Sequence, residues 1–74
     1  MTHRPTHRRT VDQAQLEALI WRERAKLHPS SQRASHVYYL PRTREWMTAR
    51  PGRRRGTFEL LFFATCGACQ AATQ

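Results

Sequence analysis

The sharpest local pattern in the sequence is Cys66-Gly67-Ala68-Cys69. Two cysteines at this spacing offer two thiolates to one Zn²⁺, and a structural tetrahedral site needs two further ligands. His3 and His7 form an H-x3-H pair of the right type, and His28 or His36 could contribute from a loop or a strand. A site of Cys66, Cys69, His3 and His7 would tie the two ends of the chain together and staple a small core. A single C-x-x-C is half of a zinc signature, so plain thiols without any cofactor are the other reading.

The second constellation is Pro51 to Gly56, PGRRRG, where two glycines bracket Arg53, Arg54 and Arg55 on a turn. Three like charges on one turn repel one another, and an anionic partner relieves that strain better than water does. Arg42, Arg44 and Arg50 lie near by in sequence, and Arg4, Arg8 and Arg9 crowd the first nine residues. The chain carries 13 Lys+Arg against 5 Asp+Glu, a formal net charge of +8, and Lys26 is its one lysine. Arginine's planar fork makes bidentate contacts to phosphate or carboxylate and stacks on flat rings, which points to a nucleic acid or an acidic protein surface as partner. A GC-rich genome also raises arginine over lysine without selection for binding. The PGRRRG turn matches no named nucleic-acid motif: there is no RNP sequence, KH loop or complete zinc-finger spacing.

No catalytic constellation stands beside these. His28 and His36 have no Asp or Glu at useful spacing, and Glu17, Glu23, Glu45 and Glu59 fall on different segments. There is no P-loop and no Rossmann fingerprint. Seventy-four residues form one small domain that buries only about 60% of its unfolded surface, too little chain to wall an enclosed pocket. The expectation is a binding protein without catalytic residues.

The secondary structure that carries these residues follows from the pattern. Residues 1–9 read as a basic flexible arm, residues 10–69 as the folded core and residues 70–74 as a frayed tail. Thr10 with Gln13 fits a capping box, and a helix is predicted from about Val11 to Leu27, ahead of Pro29. Leu16, Leu19, Ile20 and Leu27 fall on one side of it, and Trp21 falls near the opposite side, as a docking surface or beneath the arm. Residues 28–35 read as a loop and His36 to Leu40 as a strand; Thr43 to Ala49 fits either a helical turn or a strand. Thr57 to Cys66 is the strongest predicted strand. Phe58, Leu60, Phe62 and Ala64 face one way and Glu59, Leu61 and Phe63 the other, the mark of a central strand or of an exposed apolar face.

The predicted fold is α+β: one N-terminal amphipathic helix packed on a small antiparallel sheet of two or three strands. Val37, Tyr39, Trp46, Phe58, Leu60 and Phe62 supply the opposing core. The longest apolar run, Leu60 to Ala64, is far short of the roughly 20 residues that span a bilayer, and the charged start MTHRPTHRRT lacks the apolar stretch of a signal peptide. Two closely spaced cysteines suit a reducing compartment better than a secreted disulfide framework. The expectation is a cytoplasmic protein with no membrane partner.

Two resemblances add to this reading. FELLFFATCGACQ resembles the strand and redox turn of thioredoxin-like proteins over about a dozen residues, with Ala68 where many members carry proline. The later helix and strands of that fold are not expected from the five residues after Cys69, so no oxidoreductase activity follows. In size, charge and lack of catalytic groups the chain resembles the small basic regulators that bacteriophages make against host RNA polymerase, a likeness of overall character carried by THRPTHRR, Trp21 and the RRR turn. It implies binding to bacterial RNA polymerase in the host cytoplasm, with inhibition of initiation or suppression of termination; no residue is carried over from it, and the partner contacts expected from charge and helix face are Arg4, Arg8, Arg9, Trp21, Arg53, Arg54 and Arg55. The alternatives are direct DNA or RNA binding by the arm and the arginine turn, and inhibition of another nucleoprotein complex such as a ribosome or a CRISPR effector.

Overall fold

The computed structural model describes residues 4–29 and 36–73. Its elements are β1 (His7–Asp12), α1 (Gln13–Glu23), β2 (Lys26–Leu27), β3 (His36–Leu40), β4 (Glu45–Pro51), β5 (Thr57–Phe63) and α2 (Cys66–Thr73). The class is α+β as expected, but the sheet has five strands in the order β1-β5-β4-β3-β2, not two or three, and there are two helices. Every neighbouring pair is antiparallel, so β1 and β2 run parallel at opposite edges and α1 connects them.

The two strands missing from the sequence reading are the edges. His7–Arg9, assigned to the arm, belong to β1, where His7 to Asp12 pair with Phe62 to Thr57. An edge strand borrows its ladder from one neighbour and needs little apolar surface of its own; Val11 is its buried side chain. Pairing of Thr10 and Val11 with β5 also moves the helix start. Asp12, not Thr10, is the N-cap: its Oδ1 accepts from the Gln15 amide at 2.8 Å, and Gln15 Oε1 accepts from the Asp12 amide at 3.0 Å.

Helix α1 ends at Glu23, four residues before the predicted limit at Leu27. Arg24 takes the left-handed conformation (φ 51°, ψ 43°), and the Ala25 amide bonds to the Ile20 carbonyl at 3.0 Å. The chain then reverses, and Lys26–Leu27 pair with Tyr39 and Tyr38. Leu27, predicted to face the core, is 59% exposed on this edge.

Leu16 and Leu19 of α1 pack, with Val11, on Leu40, Met47, Ala49, Leu60 and Phe62. Cysteine-led α2 covers the other sheet face, where Cys69 packs with Val37, Leu61 and Phe63, and Ala68 and Trp46 lie against them. Val37 and Trp46 therefore belong to the α2 layer and not to the α1 layer. Strand β5 lies between β1 and β4 and is covered on both faces, which selects the central-strand reading of its two apolar sides. The tail residues 70–73, expected to fray, form the second half of α2.

The segment left open between helix and strand, Thr43 to Ala49, contributes Glu45–Ala49 to β4. The β4–β5 connection is the predicted arginine turn. The Gly52 amide bonds to the Thr57 carbonyl at 2.8 Å, and Gly56 holds φ 80°, a region glycine enters without the Cβ penalty. Among the described residues no helix is long and apolar enough to cross a membrane.

Candidate functional site

On the α2 side of the sheet, beyond the end of the α2 layer, β1, β5 and the arginine turn enclose an open cleft of about 400 Å³. Arg8 and Thr10 enter from β1, Thr57 and Glu59 from β5, and Arg53 and Arg54 from the turn. The pleat explains the selection: Arg8 and Thr10 are two residues apart on β1, and Thr10 lies opposite Glu59 in the register. Arg8 and Arg53 are 45 positions apart in sequence and meet only because β1 adds to the far side of β5.

The turn is fixed from within. Thr57 Oγ1 donates to the Arg54 carbonyl at 2.6 Å, and the Thr57 amide donates to the same oxygen at 3.1 Å. Glu59 is the one carboxylate among the described lining residues. It accepts from Arg50 Nη2 at 3.0 Å, which leaves the three cleft arginines without a carboxylate of their own there. Asp12, opposite Thr57, is occupied at the helix cap. The cleft can therefore hold an anion with several oxygens, where guanidinium forks meet it from two walls.

The other candidates disperse. Arg9 lies on the opposite sheet face, in a depression of about 130 Å³ with Arg22. Arg4 is exposed ahead of β1, and Arg55 is exposed on the turn outside the cleft lining. Trp21 is 84% exposed on α1, as its helical angle predicts, and the described part of the arm, residues 4–9, does not cover it. Sequence reasoning missed Thr10, Thr57 and Glu59 as lining residues. Their signal is the two-residue alternation that β1 and β5 share, visible once His7–Asp12 is read as a strand.

The cysteine and histidine residues do not converge. His7 stacks on Phe62 on the α1 side of the sheet, with centroids 4.0 Å apart, and its Nδ1 is 3.9 Å from Glu45 Oε2. Cys69 is fully buried on the other side. Two sheet faces separate them, so the expected grouping with His7 is not formed; His3 lies outside the described residues. Among the described residues no three His, Cys, Asp or Glu side chains are grouped to hold a metal. Burial pushes the Cys69 thiol up to about 12, with a further push from nearby Cys66. The Cys69 thiol thus acts as a small apolar core group.

After β5 the chain enters α2 at Cys66, which is the strand-then-helix order that the thioredoxin-like resemblance implies and no more than that. Thr65 Oγ1 accepts from the Ala68 amide at 3.1 Å and starts α2, the helix that was not expected after Cys69. The antiparallel sheet around it is a different frame. Comparisons with family models, with curated proteins and with solved structures return no match to this chain.

Proposed function

We propose that this chain is a non-enzymatic regulatory protein that binds a nucleoprotein target stoichiometrically, with bacterial RNA polymerase in the host cytoplasm as the first candidate. The Arg8–Arg53–Arg54 cleft is its anion-recognition surface. The observation that carries the reading is the convergence of these three arginines from separate elements, beside a glutamate already engaged by Arg50. Threonine hydroxyls in the same wall add the donors and acceptors that phosphate recognition uses. Binding in this way blocks or redirects a step of transcription by occupying nucleic acid or an acidic surface on the enzyme.

Direct DNA or RNA binding is the second reading, favoured by the same cleft because guanidiniums and hydroxyls suit a sugar-phosphate backbone. Titration against purified bacterial RNA polymerase, with and without nuclease treatment, separates the two. A saturable complex near molar equivalence that survives nuclease supports the polymerase reading. A complex lost with the nucleic acid transfers the function to the nucleic-acid reading, and no complex with either at low salt ends both.

A further inference from the structure

Trp21 is the largest exposed apolar side chain of the described chain, at 84% exposure. It points away from Leu16 and Leu19 and forms a wall of an open depression of about 530 Å³ with Ile20, Arg24 and Ala25. Ile20 and Ala25 also pack against the core, so these walls are anchored. Arg24 holds φ 51°, a conformation that glycine or asparagine enters at lower cost. An arginine at this helix end adds a guanidinium to the wall that the cap itself does not require.

We infer that this depression docks an acidic protein segment, which inserts one apolar side chain beside Trp21 and sets carboxylates against Arg24 and Arg22. Charge selects the occupant. Arg22 follows Trp21 in the last helical turn and lines a separate depression with Arg9, and Arg42 donates to the Arg22 carbonyl at 3.2 Å and to Glu23 at 3.4 Å. The carboxylate of the last helical turn is thus already engaged, while the arginine in the wall is not matched by any lining carboxylate. A second copy of the chain would bring the same arginines, and a net charge of +8, against themselves. Aliphatic walls on Ile20 and Ala25 fit an inserted side chain better than a stacked base. The site belongs to α1 on one sheet face and the arginine cleft opens on the other, so the two surfaces can be occupied together. This inference does not depend on the proposed function.

The test uses fluorescent peptides that carry a single Leu, Phe or Trp flanked by Asp and Glu, with Ser in place of the apolar anchor as control. Anisotropy titration of the full chain should give binding for at least one anchor and its loss with Ser. Trp21→Ala should weaken that binding about tenfold or more. Arg24→Gly should weaken it too, while its unfolding temperature stays level or rises because the left-handed backbone is relieved. The triple variant of Arg8, Arg53 and Arg54 should keep it, which separates this site from the cleft. The inference is overturned if no anchored peptide binds, or if Trp21→Ala binds as wild type does. It is overturned equally by sedimentation showing a Trp21-dependent dimer, or by a single-stranded oligonucleotide whose affinity depends on Trp21.

Discussion

Arg50 Nη2 donates to Glu59 Oε1 at 3.0 Å across the β4–β5 pair, and this bond engages the one carboxylate among the described lining residues of the arginine cleft, away from Arg8, Arg53 and Arg54. Both side chains are part-exposed, so the pair contributes only about 0–1 kcal/mol to stability. Glu59→Gln should therefore leave the unfolding midpoint within about 1 kcal/mol of wild type and free Arg50 toward the cleft. Oligonucleotide or polymerase affinity at low salt should rise; a fall would show that Glu59 itself contacts the partner.

Replacing Arg8, Arg53 and Arg54 by Ser removes three charges from one cleft without touching the core. On duplex DNA each phosphate contact contributes about 0.9 to the slope of log K against log salt, so the slope should flatten by about 2 to 3. Circular dichroism should stay as in wild type. The Arg4, Arg9 and Arg55 triple variant removes the same charge from dispersed positions and should flatten the slope less. Equal effects would reduce the cleft to general basic charge.

Stability should fall as pH rises above about 9. The Cys69 pKa is raised in the fold, from 9.0 to about 12, so the unfolded chain loses this proton first. Between those values the unfolded state binds fewer protons than the native one, and stability decreases with pH. Burial also raises the Tyr38 hydroxyl, which adds a loss of the same sign at higher pH. Urea midpoints from pH 8 to 11 should show the decline, and Cys69→Ala should remove part of it. Native alkylation near pH 8 should label Cys66 and spare Cys69, whereas zinc on both thiolates would protect the pair.

Asp12→Ala should cost about 1 kcal/mol, the usual contribution of an N-cap carboxylate, measured as a shift in the denaturant midpoint. Thr10→Ala, which removes the cap expected from sequence, should cost less, because Thr10 sits within the β1 ladder. The reverse ranking would return the helix start to Thr10.

The elements with local signals are legible in the amino-acid order alone. Strand β3 falls at His36–Leu40 as read, β5 begins at Thr57 with the predicted two faces, and the Gly52–Gly56 reversal follows from glycine at both ends of the arginines. Leu16 and Leu19 meet the core because a helical period places them on one side. These features depend on neighbours within a few residues, and alternation, periodicity and turn chemistry report them.

The sheet edges, and with them the site, come from long-range pairing. HRRTVD and KL carry little strand pattern of their own; they become strands because β5 and β3 offer them unpaired backbone groups. That pairing turns part of the basic arm into β1, shifts the helix cap by two residues and brings Arg8 beside Arg53 and Arg54. It also places His7 and Cys69 on opposite faces of one sheet. Hydrogen bonding between segments distant in sequence settles which face each side chain takes, and no local pattern encodes a partner that lies some 50 residues away.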